Sequence, residues 1–201
     1  MMRVVFATGN AHKVIEVQRI LDAADAGLEV VSLAEWPDAP TPIEDGTTFA
    51  ENALIKARAI AAHTGLPAIA DDSGICVDAL NGMPGIFSAR WAATHGDDNA
   101  NLDLLLAQIA DVPDERRGAH FMCAAALVTP AGVERVVEGI VEGELVRERR
   151  GVGGFGYDPV FRPHGYAVTT AEMPAEQKDA ISHRGAAFRA LAPIIRETLS
   201  A

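Results

Sequence analysis

Cysteine is scarce in this 201-residue sequence, which contains only Cys76 and Cys123. The two residues are far apart and form no Cys-x-x-Cys pair, so no disulfide framework is indicated. Both stand in apolar runs, Gly-Ile-Cys-Val and Phe-Met-Cys-Ala. We therefore expect two buried, reduced thiols.

Long hydrophobic runs are also missing. No segment approaches the roughly 20 apolar residues of a membrane-spanning helix, and the apolar stretch that starts the sequence is too short for a signal peptide. The sequence therefore predicts a cytoplasmic protein. Aromatic residues make up only 5% of the chain, whereas hydrophobic residues reach 49%, so small residues such as Ala and Val must fill much of the core.

Positively charged residues are fewer than negatively charged ones. Lys and Arg number 17 against 28 Asp and Glu, which gives a formal net charge of −11. A chain this acidic is a poor generic binder of nucleic acid or of an anionic membrane, so we expect neither as a partner. A small anionic ligand is still allowed, because local cations and a metal ion decide its binding. Length and composition together predict one domain over 1–201.

The hydrophobic pattern alternates between strand and helix at the start of the chain, then forms a β-meander, then ends in a helix. The predicted strands are 3–7, 28–33, 67–71, 75–77, 119–129, 133–142 and one near 145–149. The predicted helices are 11–24, 48–65, 99–110 and 184–199. Thr48 and Glu51 are spaced as a capping box, and Gly65 is a natural stop. This order of elements predicts a mixed α/β fold.

Two segments in the first half of the chain combine polar residues with helix or strand ends. Thr8-Gly9-Asn10-Ala11-His12-Lys13 places free backbone N–H groups and the positive end of a helix dipole together, as an anion site requires. Asp71-Asp72-Ser73-Gly74 ends an apolar strand, where a carboxylate is well placed to hold a metal or activate water. The first segment alone is explained as well by an ordinary capped helix, and the second by an Asx-turn.

Three further segments carry candidate ligand contacts. Glu44 precedes a helix on which Asn52 and Lys56 share a face, although a solvated, capped helix explains that pattern too. Gly153-Gly154-Phe155-Gly156-Tyr157-Asp158-Pro159 could present a ring to a base, or it could be a flexible hairpin loop. Lys178 and the Ser182-His183-Arg184 run place polar donors just before a helix, where His183 alone is explained as a packing residue.

Taken together, these segments resemble the inosine triphosphate pyrophosphatase family, whose members hydrolyse non-standard purine nucleoside triphosphates. The matching patterns follow one another in order over nearly the whole chain. They are Thr-Gly-Asn-x-x-Lys at 8–13, Glu-x-Gly-x-Thr-Phe-x-Glu-Asn-Ala-x-x-Lys-Ala at 44–57, Ala-Asp-Asp-Ser-Gly at 70–74, Pro-Gly-x-x-Ser-Ala-Arg at 84–90, Gly-Gly-Phe-Gly-Tyr-Asp-Pro at 153–159 and Lys-x-x-x-Ser-His-Arg at 178–184. One such motif is weak evidence, but the ordered set is highly specific.

The resemblance implies an α/β fold, with a long bent mixed β-sheet flanked by helices and two lobes around a central active-site cleft. It also implies a homodimer. The implied reaction is Mg²⁺-dependent cleavage of ITP, dITP or XTP to the monophosphate and pyrophosphate. Water attacks the α-phosphate, and the effect is to remove these nucleotides from the cellular pool.

The implied roles are assigned residue by residue. Glu44 and Asp72 would bind Mg²⁺, and Asp72 would also orient or deprotonate the attacking water, a choice over Asp71 that rests on the family pattern. Phe155 would stack on the base, and donors at Arg184 or nearby backbone N–H groups would bond the 6-oxo group. The full set of expected substrate contacts is Thr8, Gly9, Asn10, Ala11, His12, Lys13, Lys56, Ser73, Phe155, Gly156, Tyr157, Asp158, Lys178, His183 and Arg184.

Two other functions use some of the same residues. A Mg²⁺-dependent phosphohydrolase for another nucleotide would keep the metal site and differ only in the base pocket. A nucleotide-binding regulatory module would keep the pocket without turnover, but it would have no need of a water-activating carboxylate. Release of pyrophosphate in the presence of Mg²⁺ and nucleotide discriminates between them.

Overall fold

A mixed six-stranded β-sheet runs through the computed structural model, which describes residues 2–24 and 27–200. The strands are β1 (Met2–Phe6), β2 (Leu28–Ser32), β3 (Ala68–Val77), β4 (Gly118–Val128), β5 (Glu134–Leu145) and β6 (Phe161–Pro163). Their order in the sheet is β2-β1-β3-β4-β5-β6. Strand β1 is parallel to both β2 and β3, and β6 is antiparallel to β5. The predicted mixed α/β fold class is confirmed.

In the described ranges, α-helices stand between the strands from β1 to β4 and again after β6. They are α1 (Ala11–Ala23), α2 (Phe49–Thr64), α3 (Asp98–Gln108), α4 (Ala175–Ile181) and α5 (His183–Ser200), with short 3₁₀ turns between them. Within the described ranges, no helix is both long and apolar enough to cross a membrane.

The chain divides into two compact units. Unit 1 comprises the described parts of Met1–Asp72, Cys123–Gly139 and His183–Ala201, and unit 2 comprises Ser73–Met122 and Ile140–Ser182. Strands β3, β4 and β5 each contribute residues to both units. The cleft that the resemblance implies remains a prediction.

The core of unit 1 forms where α1 and α5 pack together and α1 packs on β2. Val17, Ile20 and Leu21 give α1 its buried stripe, as their helical spacing predicts. Phe6 of β1 and Phe188 of α5 meet edge to face, with ring centroids 5.7 Å apart. Cys123 lies in this core as a free thiol.

The core of unit 2 forms around α3 and the ends of β3 and β4. Leu102 and Leu105 of α3 are buried there with Val77, and the rings of Phe121 and Phe161 pack edge to face at 4.8 Å. Cys76 is the second buried free thiol. Both cysteine predictions are therefore confirmed.

Helix α2 begins and ends as its sequence predicts. The Oγ1 of Thr48 accepts from the Glu51 backbone N–H at 3.1 Å, and Gly65 closes the helix in the left-handed region at φ +67°. The side chain of Glu51 accepts from the N–H of Thr47 at 2.6 Å, and hydrogen bonds from the backbone of Thr47 and then of Thr48 lower the pKa of its carboxyl. The N-cap is thus as predicted, and Glu51 bonds the backbone at the helix start, as its place in a capping box predicts.

Strand β3 differs from its prediction. The sequence predicts a break at Asp71-Asp72-Ser73-Gly74, but β3 continues through these residues to Val77. Gly74 serves close packing here and not a turn, because an added Cβ would overlap the Gly85 carbonyl oxygen and lie 3.0 Å from Ser88 Cβ. The hydroxyl of Ser88 accepts from the Ile75 N–H at 2.9 Å, which holds the strand at this contact.

The prediction of a separate strand near 145–149 is wrong. Strand β5 ends at Leu145, and Arg147 lies just beyond it. That guanidinium bonds Asp114 and the carbonyl oxygens of Ala110 and Val112. Strand β6 and helix α4 were not predicted, because three and seven residues are too few to show a period.

The close contact of Gly74 with Gly85 and Ser88 predicts that a larger residue at position 74 destabilises the fold. Gly74→Ala should lower the free energy of unfolding by about 1–3 kcal/mol, since the methyl group overpacks against backbone. Urea denaturation measures this difference. Gly9→Ala is the matched control, because an added Cβ there meets nothing within 4 Å. Equal stability of the two variants would contradict the packing role of Gly74.

Candidate active site

The turn after β1 sets the position of Lys13 in unit 1. The Oγ1 of Thr8 accepts from the Asn10 N–H at 3.1 Å, and the Oδ1 of Asn10 accepts from the Lys13 N–H at 3.3 Å. Asn10 therefore bonds the first turn of α1 as an N-cap does. The side chain of His12 lies outside the described residues, so its predicted contact is not placed.

Asp71 is the centre of a buried ion-pair network in unit 1. It is 2% exposed, and both of its carboxylate oxygens accept from Lys13 Nζ at 3.1 Å. Arg184 Nε donates to the same carboxylate at 3.1 Å, and Arg184 Nη1 donates to Glu16 Oε2 at 3.0 Å. Two carboxylates and two cations thus neutralise one another, with Asp71 and Arg184 buried and Lys13 partly exposed.

The cations of this network lower the pKa of Asp71. Burial alone would raise that pKa, but the cations Lys13 and Arg184 outweigh it and hold the pKa well below its usual range. Asp71 is therefore a permanent anion at neutral pH, and its oxygens are already engaged by two cations.

Asp72, the next residue of β3, has a different set of partners. Its Oδ2 accepts from Asn52 Nδ2 at 3.0 Å, and its Oδ1 lies 3.7 Å from Lys56 Nζ. Lys56 Nζ also donates to Glu44 Oε2 at 3.2 Å. Asn52 and Lys56 share a face of α2, as their spacing predicts, and the Oδ1 of Asn52 accepts from the Gly46 N–H at 2.9 Å.

The surroundings of Asp72 disfavour the ionised form of its carboxyl group. Burial raises its pKa, Glu44 and Asp71 add to the rise, and Lys56 and Asn52 only partly oppose it. Burial alone would lower the pKa of Lys56, but Asp72, Asp71 and Glu44 outweigh burial and raise it. The two neighbouring aspartates thus have opposite pKa shifts.

Glu44 and Asp72 fit a Mg²⁺ ion by their chemistry. Both carboxylates already contact one cation, the Lys56 ammonium. Mg²⁺ is commonly held by one or two carboxylates, with substrate phosphates and water as the other ligands. In the part of the chain that the structure describes, no group of three or more His, Cys, Asp or Glu side chains is assembled for a metal.

In unit 2, Asp158 organises the glycine-rich loop. It is 4% exposed, and its Oδ2 accepts from the Phe155 N–H at 2.9 Å and from Lys178 Nζ at 2.5 Å. Its Oδ1 accepts from the Thr170 hydroxyl at 2.8 Å. Gly154 makes room for this carboxylate, since an added Cβ would lie 2.8 Å from Asp158 Cγ.

Phe155 is the exposed ring of this loop. It is 44% exposed, which is high for a phenylalanine, and Lys178 Nζ lies 5.2 Å from its ring centroid. Tyr157 is buried, and its hydroxyl donates to the Ser88 carbonyl at 2.8 Å. The loop therefore presents one aromatic ring outward and anchors the other.

The two units divide the predicted site residues between them. Unit 1 holds Thr8, Gly9, Asn10, Ala11, Lys13, Glu44, Lys56, Asp72, His183 and Arg184, and unit 2 holds Ser73, Phe155, Gly156, Tyr157, Asp158 and Lys178. Lys13 and Arg184 meet at Asp71, whereas Glu44 and Asp72 meet at Lys56. Arg184 is only 2% exposed, so its contact with a base remains a prediction.

Sequence reasoning missed Glu16 and Thr170. Glu16 follows Lys13 by three residues on α1, and that spacing places both side chains on one helix face. This signal could have joined Glu16 to the site. Thr170 has no local signal, because its bond to Asp158 exists only in the folded chain.

Comparison with known proteins gives one consistent result. Residues 4–194 match the model of the Ham1 family. A curated relative from Streptomyces coelicolor, named dITP/XTP pyrophosphatase, is 62% identical over 201 residues, which cover 99% of this chain and 100% of the relative.

Solved structures agree with this result. The crystal structure of a nucleoside-triphosphatase / dITP/XTP pyrophosphatase from Mycobacterium abscessus matches with a TM-score of 0.77 and 53% identity, over 96% of this chain and 98% of that one. A HAM1 protein from Coxiella burnetii matches with a TM-score of 0.88 and 40% identity, over 98% and 100% of the two chains.

Because Asp71 and Asp72 lie in opposite electrostatic environments, replacing each by asparagine should change the free energy of unfolding in opposite directions. Asp71→Asn should lower the free energy of unfolding by about 3–5 kcal/mol, because it removes the anion that Lys13 shares with the buried Arg184 guanidinium. Asp72→Asn should leave that free energy equal or higher, because it removes a carboxylate that its surroundings disfavour. Urea denaturation at neutral pH compares the two variants.

The two aspartates should also change the pH dependence of the free energy of unfolding in opposite directions. Ionised Asp71 stabilises the fold above the ordinary carboxyl pKa of about 4, and this advantage over the Asp71→Asn variant declines as the pH falls towards the lowered folded pKa. Ionised Asp72 is a cost that disappears as the pH falls through its raised folded pKa. Similar losses of stability in both variants at neutral pH would refute the distinction.

Proposed function

The chain belongs to the Ham1 family, and we propose that it hydrolyses non-standard purine nucleoside triphosphates such as ITP, dITP and XTP to the monophosphate and pyrophosphate. Relatives that cover the full chain bear the name dITP/XTP pyrophosphatase. The structural observation that carries the proposal is the convergence of Glu44 and Asp72 on the Lys56 ammonium.

The first part of the proposal concerns the phosphates and the metal. Glu44 and Asp72 would hold Mg²⁺, which when bound supplies positive charge to the triphosphate oxygens and stabilises the charge of the transition state. Lys56 lies beside both carboxylates and would donate to phosphate oxygens. Lys13 has three N–H groups, and its bonds to Asp71 leave its ammonium able to donate further.

The chemical step is a displacement at the α-phosphorus. The oxygen of a water molecule attacks this phosphorus, the bond from it to the oxygen that bridges to the β-phosphorus breaks, and pyrophosphate leaves. Asp72 accepts the proton of the water and later releases it to solvent.

The second part of the proposal concerns the base. Phe155 would stack on the purine, with Lys178 and His183 beside the base and sugar. Asp158 already accepts from Phe155, Lys178 and Thr170, so we assign it to holding these groups in place. Donors at Arg184 or at backbone N–H groups would bond a 6-oxo group, which adenine lacks, and a buried donor left unpaired rejects an analogue strongly. Guanine also carries a 6-oxo group, so its rejection must come from the surroundings of its 2-amino group.

The remaining contacts and the setting complete the proposal. Thr8 and Asn10 would contact phosphate, and Ser73 would contact phosphate or sugar. We propose a homodimer in the cytoplasm with no nucleic-acid partner. The assembly follows the family resemblance, and the acidic net charge of −11 opposes binding to nucleic acid.

The reaction itself is tested by a substrate panel. Pyrophosphate release should be strong and Mg²⁺-dependent with ITP, dITP and XTP, and weak with ATP and GTP. Equal release from all five nucleotides would keep the metal site and overturn the account of base selection. Binding of nucleotide without any release would indicate a regulatory module in place of an enzyme.

The role of Asp72 is tested by one amide substitution. Asp72→Asn should lower kcat by at least about 100-fold, the usual size of a lost general base, while the variant stays folded. Asp45→Asn is the matched control, because Asp45 is an exposed carboxylate next to Glu44, and its kcat should stay within about twofold. Near-normal turnover of Asp72→Asn would remove Asp72 from the mechanism.

A further inference from the structure

Each of four successive residues of the Phe155 loop is fixed by a hydrogen bond within unit 2. The Phe155 N–H donates to Asp158 Oδ2 at 2.9 Å, the Gly156 N–H donates to Asp98 Oδ2 at 2.9 Å, and the Tyr157 hydroxyl donates to the Ser88 carbonyl at 2.8 Å. The Asp158 N–H donates back to the Phe155 carbonyl at 3.2 Å. The bond from Gly156 ties this part of the loop to α3.

Helix α3 is suited to brace this loop. Its apolar face is anchored in the core of unit 2 through Leu102 and Leu105, so its first turn has a fixed position. The same part of the helix also binds the start of the loop segment, where Arg149 Nη1 donates to Asn99 Oδ1 at 2.6 Å and Arg149 Nη2 donates to Asp103 Oδ1 at 2.6 Å. Helix α3 therefore contacts the segment 149–156 near both ends.

The opposite side of the loop is closed by backbone contacts. Gly153 N–H donates to the Ala171 carbonyl at 3.0 Å, and an added Cβ at Gly151 would lie 2.5 Å from the Ala171 carbonyl carbon. The hydroxyl of Thr169 donates to the Arg150 carbonyl at 2.8 Å. These glycines thus allow close approach, and the loop is fixed between α3 and residues 169–171.

We propose that Asp98 is a positioning residue, which fixes the peptide between Phe155 and Gly156 so that the Phe155 ring is set in place for stacking on a purine before the nucleotide arrives. This inference rests on the proposed function. The N–H groups on the two sides of Phe155 are held by carboxylates, Asp158 before its Cα and Asp98 after it. Because both neighbouring peptide planes are fixed, the direction of the Phe155 Cα–Cβ bond is fixed too, and the ring is limited to its staggered rotamers about that bond.

Asp98 is placed to position the loop and not to take part in the chemical step. Asp98 is exposed at the first turn of α3, and the partner given by its geometry is a loop amide, not a reacting group. Its loss should therefore weaken binding of the base equally in the ground state and the transition state. Such a loss raises KM and leaves kcat nearly unchanged.

The test compares Asp98→Ala with Asp98→Asn in the full chain. Alanine removes the acceptor, whereas the asparagine carbonyl keeps it, and both variants lose the same charge at the helix N-terminus. Asp98→Ala should raise KM for ITP roughly three- to tenfold, the size of one hydrogen bond. Asp98→Asn should restore most of the wild-type KM.

Two further readouts separate positioning from a general loss of structure. Inhibition by inorganic tripolyphosphate, which has no base, should be unchanged in both variants. Amide hydrogen exchange by NMR should be faster at Gly156 in Asp98→Ala, with a smaller change at the Phe155 amide, which keeps its bond to Asp158. This second readout needs no turnover, so it stands even where the proposed reaction fails.

Three results would overturn the inference. The first is unchanged exchange at Gly156 in Asp98→Ala, which would show that the bond does not hold the loop. The second is an equal KM for ITP in wild type and Asp98→Ala. The third is an equal weakening of ITP and tripolyphosphate, which would indicate damage to the fold instead of a displaced ring.

Discussion

Neutralisation of the buried Asp71 carboxylate is the constraint on which unit 1 depends. An ionised carboxylate that is 2% exposed must be paired, and its partners come from two distant places in the sequence, Lys13 after β1 and Arg184 at the start of α5. The pairing therefore fixes both helix starts against β3. Gly139 supports the same arrangement, since an added Cβ there would lie 2.5 Å from the Ala187 nitrogen in the first turns of α5.

Strand alternation explains why the neighbouring Asp72 can do something different. Successive side chains of a strand face opposite ways, so one aspartate enters the ion-pair network and the next faces α2 with Glu44 and Lys56. The first is stabilised as an anion, and the second is strained as an anion, as their opposite pKa shifts show. Placing a carboxylate where its charge is disfavoured costs stability, and such costs are characteristic of sites under functional constraint.

Much of the fold was predictable, because its helices and longer strands have clear periods. The ends of α2 followed from Thr48 and Gly65, whose roles are local. The continuous strand through Asp71 and Asp72 was not predictable, since its polar residues are satisfied by Lys13, Arg184 and Asn52, which come from elsewhere in the chain. The site followed the same division: sequence placed Lys56 and Asn52 on one face, whereas the roles of Thr170 and Asp98 depend on tertiary contacts.

The glycines of the Phe155 loop illustrate how a sequence signal can carry the wrong physical meaning. A run of glycines suggests mobility, because glycine has few steric limits. In the folded chain, Gly151 and Gly154 instead let backbone and the Asp158 carboxylate approach where a side chain would collide. A loop that is packed in this way has already lost its conformational entropy in the folded protein, so a ligand that stacks on Phe155 does not have to supply that ordering free energy itself. Gly151 and Gly154 therefore contribute close packing to the Phe155 loop.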